Sequence, residues 1–211
     1  MRLLLIRHGE TQANVDHRLD TAYPGYRLTN HGLTQAASLP GKLADEPIEA
    51  VYASPLTRAQ QTAAPLAESL GLEVQVLDGV QEISAGVEEL NHDWRAYIAE
   101  LQTWSSENMD SCLEGGETAR QFMSRFTSAI SRVESAGHSC AAIISHGAAL
   151  WARGLSGLNP APLALQKLDE RLRGEAGAPD LRFLVIAPAA TADGALAAAE
   201  RAEQRDRKSV V

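Results

Sequence analysis

His8 and His146 each close an apolar run and each is followed by glycine, in "LLLIRHGE" (3–10) and "CAAIISHG" (140–147). A neutral imidazole can attack an electrophile through one nitrogen while its other nitrogen is held as a donor. Arg7 precedes the first histidine, and Arg58 falls early in "SPLTRAQQTAAPLAESLG" (54–71). Planar guanidinium forks suit the oxygens of an oxyanion, and fixed cations stabilise the charge that builds on those oxygens during displacement. Two histidines, two arginines and a helix N-terminus could together surround one doubly negative group, and a phosphoryl group fits that description. Such chemistry calls for no metal. Each residue alone has a plainer explanation: a histidine at a strand end is ordinarily solvated, Arg58 is a surface helix residue and Glu82 a loop acid. The matching positions of Arg7-His8 and His146-Gly147 tip the balance.

For these groups to meet, the runs that carry them must be strands ending on one edge. Residues 2–6 read as a strand buried on both faces, as in a parallel sheet covered by helices, and Gly9 ends it. Residues 28–45 place a Thr or Asn cap before a helix with Leu33, Ala36, Ala37 and Leu43 as its apolar face and a break at Pro40-Gly41. A strand follows over 49–53; then Ser54 is the expected cap, Pro55 the first helical residue and Gly71 the stop of a helix. Residues 73–78 suggest a short strand, and about 90–104 a helix on which Trp94, Tyr97 and Trp104 are core before they are pocket lining. In 115–137 Phe122, Phe126, Ile130 and Val133 recur three or four apart, the stripe of an amphipathic helix. The strand 140–145 precedes a helix around 148–155, and 181–188 reads as a last strand. This alternation predicts an α/β fold, a three-layer sandwich with a mostly parallel central sheet flanked by helices. In such sheets the ligand crevice lies beyond the carboxyl ends of the strands, where His8 and His146 would emerge.

Composition agrees with one catalytic domain over 1–190, a lid or insertion at about 78–117 and a terminal helix or frayed end over 191–211. Apolar residues at 45% and charged residues at 22% are those of a globular chain. The formal charge of -8 gives no general attraction to nucleic acid or to an anionic membrane, so any anion site must be local. No apolar run reaches the length of a spanning helix, which favours the cytoplasm. Cys112 and Cys140 are expected to be packing residues, and neither a disulfide framework nor a metal site is expected.

The motifs "LIRHGET", "SPLTRAQQTA" and "ISHG", in that order, resemble the histidine phosphatase superfamily, the group that includes phosphoglycerate mutase. The similarity runs from about Leu3 to Gly157. The resemblance implies that His8 becomes phosphohistidine and that Arg7, Arg58 and His146, with Gly147 beside it, hold the phosphoryl oxygens. By the same resemblance Asn14 contacts phosphate and Glu82 is the general acid and base. In "HRLDTAYPGYRLT" Arg18 is kept, but Asp20 and Thr21 stand where the superfamily commonly has Gln or Asn and Gly.

Hydrolysis of small-molecule phosphate monoesters is the favoured activity, with no cofactor and no metal. The alternative is mutase-type phosphoryl transfer, for which the acidic 78–117 segment offers no evident second anion pocket. A phosphate-binding protein without catalysis would normally have lost one of the chemical residues. The expected partner is a small phosphate ester, with no nucleic acid and no membrane, and a homodimer stays open.

Overall fold

The computed structural model describes residues 1–152 and 180–184. Five strands, β1 (Arg2–Arg7), β2 (Ala50–Ala53), β3 (Val74–Val76), β4 (Cys140–Ser145) and β5 (Asp180–Leu184), form one sheet in the order β3-β2-β4-β1-β5. Every pairing is parallel. The first and fourth strands are apolar without interruption because both of their faces are covered.

Alternation along β1 sorts the core into two layers. Leu3 and Leu5 point to one face, with Tyr52 and Ile143, and meet α5 (Arg95–Thr103), α6 (Ala119–Ser135) and α7 (Gly147–Ala152) through Leu101, Phe122, Phe126 and Leu150. Leu4 and Ile6 point to the other, with Val51 and Ile144, against Leu39 of α3 (Leu39–Lys42) and Ala63 and Leu66 of α4 (Thr57–Leu70). The expected three-layer α/β arrangement is therefore present. Phe122, Phe126, Ile130 and Val133 are all buried, and Thr118 and Gln121 form a capping box that starts α6.

Several boundaries differ from the expectations. The 28–45 region is two helices, α2 (Asn30–Ala37), capped by the Thr29 hydroxyl, and α3, separated at Ser38. The expected break is present but falls at Ser38, two residues before Pro40, which sits in the first turn of α3, where a missing N–H costs nothing. On the expected apolar face Leu33 and Ala37 are exposed, and Ala36 and Leu43 are buried. The fourth helix begins at Thr57 after an uncapped Leu56, so Ser54 is not its cap; that hydroxyl is committed elsewhere. Gly71 ends it in a left-handed conformation, as expected.

The helix expected from about 90 starts at Arg95, preceded by a 3-10 turn over Gly86–Glu88. Tyr97 and Trp104 lie in the core and Trp94 is half-buried against it. Cys140 is a packing residue, but Cys112 is exposed. The last strand is shorter than expected within the described residues, and the remainder of 181–188, the end of the 148–155 helix and the tail from 191 lie outside them. Among the described residues no helix is long and apolar enough to cross a membrane.

Candidate active site

The register Arg7↔Ser145 between β1 and β4 makes His8 and His146 the next residues on adjacent parallel strands, and the His8 N–H continues the ladder to Ser145 O at 3.0 Å. Their ring centroids lie 5.1 Å apart. β2 runs on the other side of β4, and its continuation, Ser54, bonds Ile144 O at 3.0 Å before the chain turns into α4. From the first turn of that helix Arg58 reaches back, and its Nε–H donates to His8 Nε2 at 3.0 Å. Arg7 leaves the end of β1 with its guanidinium over Gly147 Cα, and its Nη1 is buried with no hydrogen-bond partner among the described residues. His8, Arg58, His146 and Arg7 thus surround one point at the carboxyl edge of the sheet.

The chain folds this way through contacts that are easily overlooked in the sequence. His8 Nδ1 lies 2.7 Å from Gly9 O, so it carries the proton and leaves the lone pair on Nε2. Gly9 packs so closely that a Cβ there would meet Gly32 O at 2.7 Å. The Gly9 N–H donates to the Thr62 hydroxyl at 3.0 Å, and that hydroxyl donates to Arg58 O at 2.7 Å, tying the two reacting segments together. His146 Nε2 is bound to the Ser54 hydroxyl at 2.7 Å, and its Nδ1 is a second buried atom without a described partner. Ser54 Oγ also accepts the Leu56 N–H at 3.3 Å and has one hydrogen to give; donated to His146 Nε2, it leaves the imidazole proton on Nδ1.

A sequence model of the histidine phosphatase superfamily (branch 1) matches residues 3–168. The chain belongs to this superfamily. A stretch of 85 residues, 40% of the chain, is 47% identical to PE-PGRS family protein PE_PGRS11 of Mycobacterium tuberculosis, a longer protein of which it spans 15%. The adenosylcobalamin/alpha-ribazole phosphatase of Escherichia coli is 34% identical over 65% of this chain and 69% of its own. The crystal structure of the alpha-ribazole phosphatase from Shigella flexneri superposes with a TM-score of 0.60 at 31% identity, covering 83% of this chain and 81% of that one.

In this histidine phosphatase superfamily member, burial pushes the His8 pKa well below that of a free imidazole, and Arg58 and Arg7 add to the shift. His146 is lowered in the same way, first by burial and then by Arg58, His8, Arg125 and Arg7. Both rings are therefore neutral at neutral pH. Arg58 is itself lowered by burial, against which Asp20 acts most strongly. Asp20 takes the far side of its guanidinium, with Oδ2 at 3.1 Å from Nη1 and the backbone oxygen at 2.8 Å from Nη2. The loop closes tightly around this pair: at Gly25, φ +71, a Cβ would lie 2.4 Å from Arg58 Nη1.

Glu82 lies at the head of α7, next to this centre. Its carboxylate accepts N–H groups from Ala148 at 3.1 Å, Ala149 at 2.8 Å and Ile83 at 3.0 Å. The loop bearing it hangs on Arg125, which donates to the carbonyls of Gly79, Gln81 and Glu82 and is paired with Glu117. Asn14 uses its amide oxygen to close the first turn of α1 (Gln12–Val15), accepting the Thr11 N–H at 2.9 Å. Its amide nitrogen is then the end available to a ligand. Ser54, Thr62 and Arg125 were missed as site residues by sequence reasoning; Ser54 and Thr62 were polar residues within or next to a motif, and Arg125 an ordinary cation in the middle of an amphipathic helix.

Proposed function

We propose that the protein hydrolyses small-molecule phosphate monoesters through a phosphohistidine on His8, with no metal and no cofactor. The observation that carries this reading is the pair of buried nitrogens, Arg7 Nη1 and His146 Nδ1, that lack a partner among the described residues, in the centre around a histidine whose tautomer places its Nε2 lone pair against Arg58. Donors of that kind are costly to bury unless an acceptor fills them during function.

The ester's phosphoryl oxygens take the Arg7 and His146 donors, while Asn14 supplies a further N–H and Gly147 keeps the floor beneath Arg7 open. Arg58 turns its Nε–H from His8 to a phosphoryl oxygen and so releases the lone pair. Nε2 then attacks phosphorus in line, the N–P bond forms and the P–O bond to the alcohol breaks. A proton from the Glu82 carboxyl goes to the departing oxygen. Water attacks the phosphohistidine and gives its proton to Glu82, and the N–P electron pair returns to His8. The two arginines stabilise the charge that develops on the equatorial oxygens in both steps. Small phosphate esters are the partners, and the acidic balance and low cysteine content support a cytoplasmic setting.

A panel of phosphate monoesters, headed by p-nitrophenyl phosphate and assayed for free phosphate in EDTA, tests the reading. Turnover is expected in EDTA and is expected to fall by about 10⁴-fold or more in His8→Ala. Hydrolysis that survives in His8→Ala, or that needs added magnesium, would refute it.

A further inference from the structure

Beside the reacting centre a second set of anion donors is already filled by the chain itself. The Thr21 N–H donates to both Glu89 carboxylate oxygens, at 3.0 and 3.1 Å, and the Ala22 N–H to Oε1 at 3.1 Å. The Thr21 hydroxyl donates to Oε2 at 2.5 Å and accepts the Ala85 N–H at 3.1 Å. Two successive backbone N–H groups and a hydroxyl converging on one carboxylate form an anion nest. Its occupant comes from 68 residues further along the chain.

Thr21 and Ala22 also line a cavity of about 780 Å³, together with Glu82, Ser84, Gln121 and Ser124. Glu82 joins this cavity to the phosphoryl site. Among the described residues two arginines line the cavity, and each already has a carboxylate partner. Arg125 is held bidentately by Glu117 at 2.5 and 2.6 Å, and Arg120 by Asp110 at 2.7 and 2.9 Å. What the described lining offers a guest is amide and hydroxyl groups, with the carboxylates of Glu82 and Glu117 in its wall and that of Glu89 bound to Thr21 and Ala22, which line it.

We infer that this cavity takes the alcohol part of the substrate, and that Glu89 is a specificity-determining residue. It selects phosphate esters of uncharged or cationic alcohols over esters whose alcohol part carries a carboxylate or a second phosphate. The inference rests on the phosphatase reading. Among the described residues a second anion would find the nest donors taken, Arg125 held by Glu117 in a part-buried pair and Arg120 engaged by Asp110 at the exposed rim, and it would stand beside the carboxylates of Glu82, Glu89 and Glu117.

The test uses a matched pair, glycerol 3-phosphate and 3-phosphoglycerate, which differ by a hydroxymethyl group against a carboxylate. In the wild type kcat/KM is expected to favour glycerol 3-phosphate by about tenfold or more, the scale of one unfavourable charge contact. In Glu89→Gln, which removes the charge and keeps an acceptor, the ratio should fall to within about threefold; Glu89→Ala should behave alike and serves if the first variant folds poorly. Equal or faster hydrolysis of 3-phosphoglycerate by the wild type overturns the inference. So does a ratio unchanged in both variants. Hydrolysis of p-nitrophenyl phosphate separates the two levels: if it is absent the phosphatase reading fails, and if it is present with an inverted or equal ratio only the assignment of substrate class fails.

Discussion

His8 and His146 are brought together by the register of two buried parallel strands, whereas Glu89 reaches Thr21 by hydrogen bonds between two loops. The first region is placed by the same hydrogen bonds and apolar packing that hold the sheet. It can therefore hold donors with no partner among the described residues, as at Arg7 Nη1 and His146 Nδ1. The mouth has no such scaffold, and its described groups are paired: Asp20 with the Arg58 of the centre, Arg125 with Glu117 and the Thr21-Ala22 donors with Glu89. Rigid placement permits unmet hydrogen-bonding capacity, and that capacity is what a ligand can use.

The contrast is sharpest at Arg7. Because its Nη1 serves no described protein group, Arg7→Ala should lower kcat/KM by about 10²- to 10³-fold, the usual effect of removing one transition-state donor. Its urea midpoint should move little. A large loss of stability without a loss of turnover would erase the distinction between the two regions.

Asp20→Ala should show the reverse emphasis. The Arg58–Asp20 pair is almost fully enclosed, with side-chain exposures of 2% and 7%. Removing the carboxylate leaves a guanidinium buried against its usual ionisation, and the cost should be about 3 kcal/mol in chemical denaturation. Unchanged stability would mean that the rim, too, is held by the sheet.

A further effect is on pH. His8 and His146 have folded pKa values below the ordinary imidazole range, so near and below pH 6.5 the unfolded chain binds protons that the folded chain refuses. Stability is then full above that pH and declines as the solution is acidified, by up to about 1.4 kcal/mol per pH unit for each ring. Urea unfolding at pH 7 and pH 5 measures this, and His146→Asn should flatten the slope. An unchanged midpoint between the two would show that the rings are not held neutral.

The same division explains what could be read without coordinates. Arg7, His8, Arg58 and His146 were legible because strand ends and a helix start have short local signatures, and a parallel sheet sends strand ends to one side. Three-layer packing followed from the uninterrupted apolar runs of β1 and β4. Ser54 was misjudged as a cap: Ser-Pro looks the same in sequence whether its hydroxyl starts a helix or props up His146. Asp20 was seen as a departure from the superfamily pattern, but its pairing with Arg58 spans 38 positions and two loops, with no periodicity to betray it. Glu89 was one acid among many in an acidic segment, and only its hydrogen-bond partners set it apart.

The pairing of Leu3 with Ala141 and of Arg7 with Ser145 has a bearing on which length changes this chain could survive. A residue inserted into or deleted from β1 or β4 would turn the remaining side chains over, exchanging the residues that pack the two core layers and parting the two imidazoles in a single event. Lengthening the connection after Leu70 or after Ser135 shifts no strand against its neighbour. Indels tolerated by relatives should therefore gather in those connections and spare both strands.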